Sequence, residues 1–381
     1  MKYNLNEPFL EGKEEDYLLD VLRSKWLSTK GKHTRIFEEK IAARSGLKYA
    51  LAVQSGTAAI HTAAMALGLK KGDKVIVPNY TCAGSIVGIV QCQAAPVLLD
   101  IEPDTFGLDA ALVRKYIDRV KPAALMVVHI YGFPSRDTEE IADICRRKGI
   151  ALIEDCSEAL GAKINNRSVG TYGDIATYSI RSEKMIGVGE GGVVATNSRG
   201  LLDKAFYWAS RAAPYRTDKD PYWKTYYYTG VGMNYLLPHL LGAVARAQIE
   251  NFDRILKRKI SVGRRYQELL GGMEGLRMQQ LVRGHQPVFW LNIILLEQLS
   301  EEKVRRLGED LIASGVQIRP GFWPLSDLPP FGKMRRGAQE TGMRVLKKGI
   351  VLPSSVYLAD DHCRKVDEVV KILATRLKNY I

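Results

Sequence analysis

A chain of 381 residues exceeds what one hydrophobic core usually serves, so two domains are expected. Hydrophobic content of 46% and charged content of 25% are those of a globular chain, and no apolar run approaches the ~18 residues of a membrane helix. The 55 basic and 42 acidic residues give +13, but they are scattered and no zinc-finger spacing or aromatic-basic motif accompanies them, which argues against nucleic acid and leaves a solvated basic surface or an anionic small substrate. Residues 1–7 hold no apolar signal core, which predicts a cytoplasmic protein. Five cysteines (82, 92, 145, 156 and 363), odd in number and widely spaced, read as reduced thiols rather than a disulfide framework or a metal site.

In chain order, 11–25 reads as a surface helix and 26–31 as a loop holding Ser28 and Thr29. A second helix is expected over 34–45 with Thr34 as its N-cap, then a short strand over 47–53. Gln54-Ser55-Gly56-Thr57 turns sharply from strand to helix, and free amides at a helix N-terminus suit a phosphate, although tight packing alone produces the same pattern. Strands are expected over 74–77, 96–100, 123–130 and 150–153, with helices over 84–91, 109–120 and 138–148. This alternation predicts a doubly wound α/β domain with a mostly parallel sheet. Its ligand belongs beyond the carboxyl ends of the strands, where Thr57, His129, Asp155 and Ser179 fall.

Residues 174–192 carry the chemistry: a β-rich run (175–180), a polar turn, Lys184, then Gly189, Gly191 and Gly192. A lysine placed there can lose solvent and act as an amine nucleophile toward a carbonyl. Asp155 is read either as a cap or as the partner of a protonated pyridine nitrogen, and His129 as pocket lining. Residues 200–235, rich in aromatics, predict a surface excursion or an arm on another subunit. A long helix is expected over 236–270, strands over 288–296 and 316–319, and helices over 301–314 and 366–380. The division is 1–250 for a large domain and 251–381 for a smaller α+β domain.

Together the blocks Ser55-Gly56-Thr57-Ala58-Ala59-Ile60-His61, His129-Ile130-Tyr131-Gly132, Glu154-Asp155-Cys156-Ser157-Glu158, 179–184 and Gly189-Glu190-Gly191-Gly192 resemble the DegT/DnrJ/EryC1/StrS family of pyridoxal-phosphate sugar aminotransferases, a branch of the aspartate-aminotransferase fold. The resemblance implies that Lys184 holds the cofactor covalently and moves the proton, and that Asp155 binds the pyridinium nitrogen. Gly56, Thr57 and Ser179 would hold the phosphate, and Cys82 and Glu158 would lie beside the ring. Asn234 would reach the phosphate of a neighbouring subunit, implying a homodimer with shared sites. Ser28, Thr29, His129, Arg319 and Trp323 would meet the substrate. Cys82 stands where many members have a stacking aromatic, and Leu236 where arginine usually follows Asn234-Tyr235.

The implied reaction moves an amino group from an amino acid, L-glutamate being the expected donor, to a nucleotide-linked keto-deoxy sugar. The product would be an aminosugar for surface polysaccharide (O-antigen) or a secondary metabolite. Related dehydratases carry histidine at the Lys184 position, so lysine favours transamination over deoxygenation. The alternatives are a keto-cyclitol or free ketosugar acceptor and, from another class, a non-catalytic cofactor-binding regulator.

Overall fold

The computed structural model describes residues 1–29, 31–213, 226–334 and 337–381. Fourteen short strands lie within them: β1 (Tyr49–Val53), β2 (Lys74–Pro78), β3 (Ala95–Leu99), β4 (Ala124–Val128), β5 (Ala151–Asp155), β6 (Lys163–Ile164), β7 (Arg167–Ser168), β8 (Ile175–Ser179), β9 (Gly192–Thr196), β10 (Leu276–Met278), β11 (His285–Gln286), β12 (Asn292–Leu296), β13 (Arg319–Pro320) and β14 (Gly349–Leu352). Seven form the central sheet in the order β1-β9-β8-β5-β4-β2-β3. Only β9 runs against the others, pairing antiparallel with both β1 and β8.

The near-continuous apolar runs follow from burial on both faces. Within β2, Val75 and Val77 join one core while Ile76, between them, joins another beneath the helices Ala110–Val120 and Thr138–Lys148. That period of two delivers successive side chains to opposite sides of the sheet. On the first side, Ser55 caps the helix Gly56–Ala66 by accepting a 3.0 Å bond from the Ala58 amide.

A second, four-stranded antiparallel sheet (β10-β12-β14-β13) is covered by Phe252–Leu270, Glu301–Ala313 and Arg364–Leu377 around its own apolar core. The first residues of the chain run along this second domain, and Asn6 Nδ2 reaches across to the Glu183 carbonyl beyond β8. Tyr3 bridges Val316, and the Leu5 carbonyl accepts from Ser354 N–H. Lys259, 1% exposed, donates to Asn6 Oδ1 at 2.8 Å, the Trp290 carbonyl at 3.0 Å and the Ser354 carbonyl at 2.5 Å. Burial pushes its ammonium down to about 7.

Several elements differ from expectation. The second helix begins at Lys32 with extended Gly31 as its N-cap, because a side chain at 31 would collide with the His239 ring. Thr34 is therefore buried inside the helix and caps nothing. The long helix is two, His239–Glu250 and Phe252–Leu270, broken at Asn251. Residues 288–291 are not strand; β12 starts at Asn292. The aromatic stretch begins with a regular helix, Arg199–Ala209, capped by Ser198. Residues 214–225 of the expected arm, including Tyr215, Tyr222 and Trp223, lie outside the described residues, as does Lys30.

Candidate active site

A cavity of about 320 Å³ opens at the carboxyl ends of β5 and β8 and the N-terminus of Gly56–Ala66. Gly56, Thr57, Cys82, Asp155, Glu158, Ser179, Lys184 and Arg319 all line it. Lys184 rides on the connection between β8 and β9, which closes on itself: Ser182 N–H donates to the Gly189 carbonyl at 3.0 Å, and Val188 N–H to the Ile180 carbonyl at 3.0 Å. Gly189 has φ +99°, a left-handed value that favours glycine.

The Lys184 amine lies 3.1 Å from Glu158 Oε1 and 3.6 Å from the centre of the Trp290 ring. The other Glu158 oxygen accepts from Tyr131 N–H at 2.7 Å. Burial pushes the Glu158 carboxyl up, and Lys184 pulls it back. Trp290 was not foreseen; it stands a hundred residues downstream in a segment that reads as plain strand, and only the fold brings it under the amine. Phe322, also lining the cavity, stacks on Tyr131 at 5.4 Å between centroids.

Asp155 is 2% exposed and accepts from Ser85 Oγ at 2.7 Å and from Ser157 N–H at 3.0 Å. Among the described residues no cation pairs with it. A buried carboxylate without a counter-ion is costly unless something positive arrives. A protonated pyridine nitrogen meets that requirement. The phosphate end has a matching cradle, because a Cβ on Gly56 would come within 2.9 Å of Ser179 Cβ, so only glycine leaves that corner open beside the helix N-terminus. The residues present therefore fit pyridoxal phosphate.

Other expected contacts are placed elsewhere. His129 is fully buried and does not line the cavity. Its Nε2 faces Glu154 at 3.2 Å and its Nδ1 accepts from Ser135 N–H at 3.0 Å, so it braces the sheet instead of meeting substrate. Glu154 in turn collects the amides of Gly170, Tyr172 and Gly173. His129, Glu154 and Cys156 cluster closely, yet this carboxylate is saturated and burial pushes the Cys156 thiol up, so the trio suits no cation. Trp323 is 55% exposed and off the cavity; its neighbour Phe322 takes the lining position. Ser28, Thr29 and Asn234 line a separate surface cavity with Trp26, Tyr226 and Leu236, away from Lys184 in the same chain.

A lysine over a buried, unpaired aspartate at the edge of this sheet, on this fold, defines a pyridoxal-phosphate-dependent aminotransferase. A model described as the DegT/DnrJ/EryC1/StrS aminotransferase family matches residues 8–371, and the chain belongs to that family. It is 35% identical to a GDP-perosamine synthase from Vibrio cholerae over 96% of this chain and 97% of that protein. A GDP-perosamine synthase from Escherichia coli O157:H7 is 31% identical, covering 97% and 99%. Among solved structures, the aminotransferase TlmJ from Streptoalloteichus hindustanus superposes with a TM-score of 0.90 at 24% identity, each chain fully covered, which attests the fold.

Proposed function

We propose that this aminotransferase acts on a nucleotide-linked keto-deoxy sugar, with an amino acid, L-glutamate being the expected one, as donor. The single observation that carries the reading is Lys184 held between Glu158 and Trp290 in the cavity that Asp155 floors. The names of the perosamine-synthase relatives, matched over nearly their whole length, support the acceptor class.

When bound, pyridoxal phosphate supplies an electron sink that acidifies the Cα–H bond of an amino acid and carries its amino group. In our reading, Asp155, steadied by Ser85 and Ser157, holds the pyridine nitrogen protonated. The Gly56 and Thr57 amides and the Ser179 hydroxyl receive the phosphate. Lys184 anchors the cofactor, then, once displaced, collects and returns the substrate proton. Glu158 stands 3.1 Å away and steadies the amine whenever it is protonated.

We also infer a homodimer. Exposed Trp26, Tyr226 and Tyr228 line the second cavity, where Ser28, Thr29 and Asn234 would complete a partner's site. The reaction belongs to the cytoplasm in this reading, which the five free cysteines support, three of them buried. The second sheet and its own core support treating 251–381 as the smaller domain.

The test is the visible spectrum of the cofactor-loaded protein before and after excess L-glutamate, then with nucleotide-linked and free ketosugars. Loss of the band with glutamate and its return with a nucleotide-linked ketosugar is expected. A band that Lys184→Ala leaves identical, or turnover confined to free ketones, overturns the reading.

A further inference from the structure

The donor half of this reaction needs a group the cavity has not yet been credited with. An amino acid carries its carboxylate one bond from the carbon that reacts, so a cation must stand near Lys184 without being Lys184. The lining residues offer two, Arg181 and Arg319, against four acids, Asp155, Glu158, Glu183 and Glu190. Arg181 is engaged outward: its side chain is 59% exposed, with Nε 3.2 Å from Glu190 and Nη1 4.0 Å from Glu183.

Arg319 differs. Its side chain is 35% exposed, it lies 5.8 Å from the Trp290 ring centre, and its Nη1 meets Glu183 Oε2 at 3.2 Å. Its Nη2 is buried and has no hydrogen-bond partner. Guanidinium binds carboxylate best through two parallel N–H bonds, and an unmet buried N–H is costly. Glu183 therefore fills only half of the fork. Its carboxylate stands between Arg319 and Arg181, so it has a second cation to turn to when released.

We propose that Arg319 is the carboxylate anchor for the amino-acid donor, and that Glu183 is a built-in placeholder the donor displaces toward Arg181. This rests on the aminotransferase reading above and adds to it which residue selects an amino acid over other primary amines. Glu183 sits immediately before Lys184. Its carbonyl accepts from Asn6 Nδ2 and Trp290 Nε1, so the backbone stays fixed while the side chain exchanges partners. The same placeholder keeps Arg319 from remaining an uncompensated cation once the donor's carbon skeleton has left and the sugar enters.

Three proteins decide it: wild type, Arg319→Gln and Glu183→Gln, each loaded with pyridoxal phosphate. Glutarate, a dicarboxylate without an amine, is titrated by calorimetry, and bleaching of the visible band is followed with L-glutamate and with ethanolamine, an amine without a carboxylate. Losing a two-bond charged contact predicts about a hundredfold weaker glutarate binding and a similarly slower reaction with L-glutamate in Arg319→Gln. The ethanolamine rate should be unchanged. Glu183→Gln, with the fork freed, should bind glutarate several-fold more tightly than wild type. Equal glutarate affinity in wild type and Arg319→Gln overturns the proposal, as does equal slowing with both amines. Because glutarate binding needs no amine chemistry, a failure of the aminotransferase reading would show as an unbleached wild-type band and leave the Arg319 result legible.

Discussion

Replacing Lys259 by methionine keeps the length of the side chain and removes the one group that joins Asn6, Trp290 and Ser354. Three acceptors use all three hydrogens of an ammonium; a neutral amine can serve only two at once. Taking two bonds lost at ~1–2 kcal/mol each, with their acceptors left buried, the variant should be destabilised by about 2–4 kcal/mol at pH 8. The pH dependence is the sharper signature. Burial lowers the folded-state value from 10.5 to about 7, so between these limits the unfolded chain binds more protons than the folded one. Wild-type stability therefore rises with pH across that window, by up to about 1.4 kcal/mol per pH unit. Lys259→Met has no such proton, and the gap between the proteins should widen from pH 7 to pH 10, by on the order of 4 kcal/mol at most. Urea unfolding of the cofactor-free proteins, followed by circular dichroism at pH 7, 8, 9 and 10, measures the difference with other titrations cancelled. A gap that stays constant over this range would refute the reasoning.

Two further outcomes test the site. Gly56→Ala places a Cβ 2.9 Å from Ser179 Cβ, an overpacking of ~1–3 kcal/mol that predicts pyridoxal phosphate affinity lower by tenfold to a hundredfold. Gly84→Ala, whose Cβ would stop 3.1 Å from Thr57 Oγ1, is the milder control, and equal affinities for the two variants would contradict the cradle. Glu158→Gln retains an acceptor for the Tyr131 amide but removes the carboxylate 3.1 Å from Lys184. With a neutral amide there the Lys184 amine loses its charged hydrogen-bond partner, so peptide-resolved acetylation of Lys184 at pH 8 in the cofactor-free protein should speed up. An unchanged labelling rate means that Glu158 does not steady the amine.

The alternating strands and helices of the first 180 residues were legible because a parallel sheet buried on both faces writes itself as apolar runs between capped amphipathic helices. Reading failed where tertiary contacts decide. Gly31 rather than Thr34 starts its helix because His239 occupies the space a side chain would need. β9 went unread because its first residue, Gly192, belongs to the glycine cluster and only four residues follow it in the strand. His129 shows the limit of the strand-end rule: position beyond a carboxyl end does not say to which side a side chain turns, and this one turns into the sheet's support. Ser85, Trp290 and Phe322 left no local mark, since each becomes part of the cavity only through contacts far along the chain.

The end of β5 has a consequence for how this protein can change. Glu154 and Asp155 are adjacent, yet one gathers backbone amides that hold the 170–173 turn while the other floors the cavity. The pleat alone separates these duties. Either residue can be substituted without reassigning its neighbour, but inserting or deleting one residue anywhere in Ala151–Asp155 exchanges the two carboxylates between scaffold and cavity at a stroke. Length change is therefore forbidden within this strand, and equally in the turn after it that carries Ser157 and Glu158.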